Sequence, residues 1–236
     1  MLRTVWERLS KLLNAIANWK GFYWTVFAGC MVPAVLVVFK VLASENLPWY
    51  HPGLKNFVES TMGGLGVDVT KSLLHETGED ALGVLLACLA ITPIRRIFKV
   101  NGIQKVRRMV GVWSFVYAVI HVTLYVGLDQ ACFDWASCDG GLILDDILKR
   151  PFIWMGMIAF VLMTLLAATS TGGAVRLLKK NWQRLHRLVY PAAIAAVIHF
   201  IWIQKADYAE PLMWAGWLAF FFAVRVYFAI QKRRQA

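Results

Sequence analysis

Six apolar stretches, residues 21–43, 74–94, 109–128, 151–170, 187–203 and 211–230, alternate with short polar connections along the chain. Each, at 17–23 residues, is long enough for a helix to cross a hydrocarbon core of about 30 Å. The pattern predicts an all-α integral membrane protein, a six-transmembrane-helix bundle. The connections leave no room for a separate soluble domain, so residues 1–236 are expected to form a single transmembrane domain.

Turn-forming residues punctuate the pattern. Residues 46–66, rich in Pro, Gly and Asn, read as a loop with a short interfacial segment over 54–62. "GGLGVDVTK" (63–71) leads into the second span, Thr92-Pro93 marks that span's far end, and "STGG" (170–173) closes the fourth. Composition agrees: 59% of residues are hydrophobic, 17% are charged and the mean hydropathy is +0.56. No internal repeat or low-complexity tail is visible.

The net charge of +11 invites a nucleic-acid reading, and its distribution argues against one. Arg3, Arg8, Lys11 and Lys20 precede the first span. Arg95, Arg96, Lys99, Lys105, Arg107 and Arg108 lie between spans two and three, and Arg176, Lys179, Lys180, Arg184 and Arg187 between four and five. Lys232, Arg233 and Arg234 follow the sixth. The other three loops carry few cations, and all the acids except Glu7 lie in or beside them. That alternation is the positive-inside pattern and puts both termini in the cytoplasm. Trp6, Trp19 and Trp182 fall at the expected inner boundary, and Trp49, Trp135 and Trp202 at the outer one. Val41-Leu42-Ala43 resembles a signal cleavage site, but the apolar run before it is longer than a typical signal core, so an uncleaved anchor is expected, with Lys40 snorkelling outward.

Cys30 and Cys88 fall inside spans, where they pack as small apolar groups. Cys132 and Cys138 share an outer loop, and their spacing leaves open a disulfide or two free thiols. No CxxC or zinc spacing occurs. With no GxGxxG and no P-loop, nothing here would hold a nicotinamide or a flavin in a soluble domain, so any such donor is expected to be another chain.

Position sorts the five histidines. His51, in "PWYHPG", reads as a solvated loop residue. The other four lie in or at the ends of spans two, three and five, where an ionisable group is costly and faces a partner inside the bundle. A single such histidine is accounted for by a helix–helix hydrogen bond; several at matched depth are not. Spans three and five run in the same direction, and His121 and His199 each lie about a dozen residues in, roughly 18–20 Å from the inner edge. Two neutral imidazoles facing each other there suit six-coordinate haem iron. His186 sits about 20 Å nearer the inner edge than His199, where a second haem would stack beneath the first. Two features complicate that geometry. Thirteen residues put His186 and His199 about 140° apart on an ideal helix, and Pro191 between them is expected to kink the helix or unwind the turn and so recover the facing. Fourteen residues before His121 stands Arg107, a poor iron ligand because guanidinium keeps its proton. Arg107 or Arg108 reads as a partner for a haem propionate or a second cofactor, or simply as a positive-inside arginine. His75, opening span two, reads as a contact to a haem edge or a quinol, or as an interfacial histidine bonded to Glu76 or Thr77.

With "HETGEDAL" (75–82), "LAITPIRR" (89–96), "RRMVGVWSFVYAVIHVTLY" (107–125), "LAATST" (166–171) and "WQRLHRLVYPAAIAAVIHF" (182–200), the chain resembles the MsrQ (YedZ) family of haem-binding membrane subunits within the ferric reductase-like superfamily. The resemblance covers about residues 60–203; the first and last spans match only in hydropathy. It implies a b-type cytochrome of the bacterial inner membrane carrying haem b, one or two per chain, together with FMN. Electrons from the quinone pool or a cytosolic flavin reductase would pass to a periplasmic molybdopterin subunit, MsrP, which repairs oxidised methionines in envelope proteins. The family's ligand positions carry over to His121, His186 and His199. Relatives such as NADPH oxidases have an inner histidine where Arg107 stands here, as in MsrQ-like sequences; Pro191 departs from the pattern.

Two other readings compete with a redox subunit. A self-sufficient ferric or metal reductase would need a soluble donor domain, which is not apparent. A histidine-based proton or metal transporter would show internal repeats and intramembrane carboxylates, and neither is evident.

Overall fold

The computed structural model describes residues 2–42, 58, 68–133 and 138–235, and every regular element among them is helical. His51, Trp49, Trp135 and, apart from Val58, the expected interfacial segment over 54–62 lie outside the described residues. Six helical runs are long and apolar enough to cross a membrane: Phe22–Leu42, Val69–Phe98, Gly102–Asp129, Pro151–Ala168, Lys180–Ile203 and Ala209–Arg234. They correspond one to one with the six expected spans. Spanning segments are helical because lipid offers no partner for a free backbone N–H or C=O, and a helix satisfies both internally.

We number the helices α1 (Leu2–Asn18), α2 (Phe22–Leu42), α3 (Val69–Phe98), α4 (Arg107–Leu124), α5 (Gly140–Lys149), α6 (Pro151–Ala168), α7 (Gly172–Leu178), α8 (Lys180–Leu185), α9 (Val189–Ile203) and α10 (Ala209–Arg234). The closest packing is within two hairpins, α3 against α4 and α6 against α9. Alanines 192 and 193, fully buried in α9, let backbones approach closely, as small residues do at membrane helix contacts. Leu82, Leu85, Leu86 and Leu89 of α3 meet Met163, Val197, Phe200 and Leu218 in the core where the hairpins join. Helix α2 packs on α3 and α4, and α10 on α3 and α9.

Several helices depart from the expectation. Pro93 does not end the second span: α3 runs on to Phe98, closing at Lys99 in the left-handed region (φ 56°). The carbonyl of Leu89, four residues before Pro93, loses its usual intrahelical donor. Arg225 Nη2 of α10 supplies the replacement. A different adjustment occurs in α2, beside Pro33. There the buried Tyr117 hydroxyl inserts into the helical ladder, donating to Cys30 O and accepting from Ala34 N at 3.0 Å. Lys40, expected to snorkel outward, does not stand alone: its ammonium binds Glu76 of α3 at 2.7 Å.

Of the two adjustments expected around Pro191, a kink or an unwound turn, the backbone shows a change of winding, as a tightening rather than an unwinding. Pro191 occupies the first turn of α9, where a missing N–H is tolerated. The adjustment lies just upstream, in a 3-10 turn over His186–Leu188. At about 120° rather than 100° per residue, three tighter steps rotate His186 by roughly 60° toward the face of His199.

Short elements close the ends. Helix α1 is amphipathic and lies along the basic end: Ser10 Oγ donates to Phe98 O at 2.8 Å, and Trp6 stacks on Phe98 at 4.8 Å. Arg96 lies over the Phe228 ring, bringing the end of α3 to the end of α10. At the opposite, acidic end, Cys132 and Cys138 form a disulfide. Helix α5 follows it, N-capped by Asp139, whose carboxylate accepts from Gly141 N at 2.8 Å.

Candidate functional site

The histidine rings of residues 121 and 199 face each other across the joint between the two hairpins, with centroids 6.4 Å apart and planes at 83°. Each is set by the helix that pairs with its own. His121 Nδ1 lies 3.2 Å from Thr77 Oγ1 of α3. The fully buried Thr77 hydroxyl donates its proton to Leu73 O at 2.7 Å, so its lone pair is left to accept from the ring. His199 Nδ1 lies 2.7 Å from Phe152 O at the start of α6. Both rings therefore carry their proton on Nδ1, and both Nε2 atoms are left as free acceptors.

Two glycines complete the setting. A Cβ on Gly78 would stand 3.1 Å from His121 Cε1, and one on Gly156 would stand 3.0 Å from His199 Cε1. Each histidine lies in a cradle that any other residue would fill. The chemistry of the donor set also fits a metal held between the rings. A bond of about 2.0–2.1 Å on each side, plus about 1.1 Å from nitrogen to ring centre, spans about 6.3 Å. A protein-anchored Nδ1–H is the usual companion of a metal-bound Nε2, because it fixes tautomer and ring orientation.

The remaining candidates lie elsewhere. His186, near the basic end, stacks on Trp182 at 3.9 Å, and its Nε2 lies 3.4 Å from Ser170 Oγ. Its Nδ1 is buried with no partner. Arg107 and Arg108 open α4 at the same basic end, near enough for their charges to be felt at His186. His75 bonds neither Glu76 nor Thr77; those belong to Lys40 and His121. It reaches instead Glu210 of α10 at 3.4 Å and Glu79 at 3.7 Å, and its ring lies 5.7 Å from Phe200, the neighbour of His199.

Sequence reasoning missed Thr77, Gly78, Phe152, Gly156 and Arg225. Thr77 and Gly78 stand inside "HETGEDAL", and a hydroxyl followed by a glycine on a membrane helix was the available signal. Phe152 acts through its backbone and leaves no signature. Past His121 the fourth helix loosens into a π turn over Tyr125–Asp129, a departure that often accompanies function. Tyr125 there donates to Asp146 of α5 at 2.8 Å.

Residues 77–197 match the family model described as a ferric reductase like transmembrane component. Among curated relatives, the protein-methionine-sulfoxide reductase heme-binding subunit MsrQ of Xanthomonas campestris pv. campestris (strain B100) is 43% identical over 170 residues, 72% of this chain and 75% of that one. The subunit of the same name from Rhodospirillum rubrum is 41% identical over 210 residues, 89% of each chain. That from Xanthomonas axonopodis pv. citri (strain 306) is 42% identical over 176 residues, 75% of this chain and 78% of its own. The chain belongs to the MsrQ family of ferric reductase-like transmembrane proteins.

Proposed function

We propose that this protein is the haem-carrying, electron-transferring membrane subunit of a protein-methionine-sulfoxide reductase system. It would form a single transmembrane domain over residues 1–236 in the bacterial inner membrane, with the basic end and both termini in the cytoplasm. The observation that carries the reading is the pair His121 and His199, 6.4 Å apart with each Nδ1 engaged and each Nε2 free. The names of the relatives support it.

In this reading His121 and His199 hold the iron of a haem b near the acidic, periplasmic end, and bound haem supplies reversible one-electron chemistry. Thr77 and the Phe152 carbonyl orient the two imidazoles. Gly78 and Gly156 keep space beside them, and the leucine-rich core excludes water. A second cofactor, haem b or FMN, lies toward the basic end, where His186, Arg107 and Arg108 converge. His75, near His199 through Phe200, contacts the cofactor edge or a quinol. Donors are the quinone pool or a cytosolic flavin reductase; the acceptor is the periplasmic molybdopterin subunit MsrP.

Purified protein is expected to show Soret and α bands that lose the contribution of the His121–His199 haem in His121→Ala and in His199→Ala. Unchanged haem content in both variants would reject the assignment. Reconstitution with and without the molybdopterin subunit, scored by methionine sulfoxide reduction and by direct ferric reduction, separates a partner-dependent relay from a stand-alone metal reductase.

A further inference from the structure

Arg225 lies well within the apolar run of α10, where an ionisable side chain is costly and calls for a partner. Its Nη2 donates to the Leu89 carbonyl freed by Pro93, its Nη1 donates to Tyr190 Oη at 3.1 Å, and the guanidinium lies 5.4 Å over the Tyr190 ring. These contacts satisfy a carbonyl and a phenol, both neutral; an uncharged amide donor would serve as well. They leave the charge itself unbalanced. No ion pair to Arg225 occurs among the described residues. Glu7 is the only acid on the basic side of the chain, and the charge that does act on Arg225 is another cation, Arg107.

The surrounding polar atoms are incomplete too. Four buried side-chain polar atoms among the described residues lack a hydrogen-bond partner: Arg225 Nε, His186 Nδ1, Thr92 Oγ1 and Trp214 Nε1. The first three sit on segments that the Arg225 contacts draw together, since Thr92 is one turn beyond Leu89 and His186 one turn before Tyr190. A guanidinium within the helix run, a second at the start of α4 whose charge reaches it, and unsatisfied polar atoms beside the first fit a bound anion that accepts hydrogen bonds.

From this we propose that Arg225 and Arg107, with His186 Nδ1 and Thr92 Oγ1 at the edge, form an oxyanion site in the basic half of the bundle, taking the carboxylate or phosphate of an amphiphilic ligand. Under the function proposed above, that oxyanion is the acidic tail of the second cofactor, a haem propionate or the FMN phosphate. A phospholipid headgroup offers the same chemistry. The inference rests on the electron-transfer reading for the cofactor as source, and on the geometry alone for the oxyanion.

The test uses the full-length protein in nanodiscs of phosphatidylcholine and phosphatidylglycerol, as wild type, Arg225→Met, Arg225→Lys and Arg107→Met. Haem is measured by pyridine haemochrome, FMN by fluorescence after release, and co-purified phospholipid by mass spectrometry. Arg225→Met and Arg107→Met are each expected to lose at least half of the FMN or of any haem beyond the first, while Arg225→Lys keeps most of it and the His121–His199 haem band is unchanged. Selective loss of phosphatidylglycerol instead assigns the oxyanion to lipid. If Arg225→Met does not fold, Arg107→Met, whose residue repairs no proline-freed carbonyl, decides the matter. Wild-type levels of haem, FMN and lipid in that variant overturn the site. Wild-type protein without haem would sink the electron-transfer reading while leaving the lipid measurement to judge the oxyanion.

Discussion

Thr77 Oγ1 stands 3.2 Å from His121 Nδ1 and passes its own proton to Leu73 O, so one buried hydroxyl fixes both the tautomer and the direction of the imidazole. The counterpart on the other hairpin is a carbonyl, Phe152 O, 2.7 Å from His199 Nδ1. The two histidines are thus held by different chemistry, one replaceable by mutation and one not.

Thr77→Val keeps the shape and removes the acceptor. Outer-shell partners of metal-bound histidines are worth about 10- to 100-fold in metal affinity. Haem retention during dilution or competition with apomyoglobin should fall by that order, while Thr77→Ser should hold near wild type. Equal retention in all three proteins would show that the hydroxyl does not matter.

Gly78→Ala and Gly156→Ala place a methyl 3.0–3.1 Å from a histidine ring. Alanine improves a helix by roughly 1 kcal/mol relative to glycine, so thermal stability of the haem-free protein should hold or rise. The expected cost falls on the site: shifted Soret and electron paramagnetic resonance signals, with weaker haem binding. A stability loss without spectral change would place these glycines in packing alone.

Lys40 is only 16% exposed, and its partner Glu76 is 42% exposed. Removing one partner of a pair intermediate between surface and core should cost on the order of 1–3 kcal/mol. Lys40→Met is expected to lower the unfolding midpoint in detergent, and Lys40→Met with Glu76→Gln to recover part of it. A double-mutant cycle with no coupling would rule the contact out as a stabilising one.

Thiol labelling tests the loop at the acidic end. Cys132 and Cys138 should resist alkylation until a reductant is added. Closing so short a loop is worth about 2 kcal/mol in chain-entropy terms, so reduction should lower stability modestly without altering haem content. Ready labelling of both residues in freshly isolated membranes would contradict the pairing.

The spans and the matched depth of His121 and His199 are legible in the sequence because both follow from distance along a helix, and helical rise is constant in a membrane. Side-chain direction is harder. On an ideal helix the spacing of His186 and His199 leaves them on different faces, and Pro191 signals some change there without saying which; the chain tightens over His186–Leu188, and a 3-10 turn leaves no distinct composition. Pro93 looks like a terminator, since a proline marks a boundary unless another residue takes the freed carbonyl, here one 136 positions away. Arg225 is hidden for the same reason: its neighbours in sequence are apolar, and its partners belong to other helices. Helix α1 escapes notice because a window that averages hydropathy cancels a stripe such as Val5, Leu9, Leu12 and Ile16 against the charges between them.

Arg225 has a consequence for how the protein is made. Alone in lipid, a mid-helix arginine works against insertion by about 2.5–3.5 kcal/mol. Helix α10 thus has reason to linger at the insertion machinery until the Leu89 carbonyl and Tyr190, 136 and 35 residues upstream, are there to receive it. Its insertion would then be completed by a docking event, and a chain whose earlier hairpins assemble badly would present quality-control proteases with an unclaimed cationic helix.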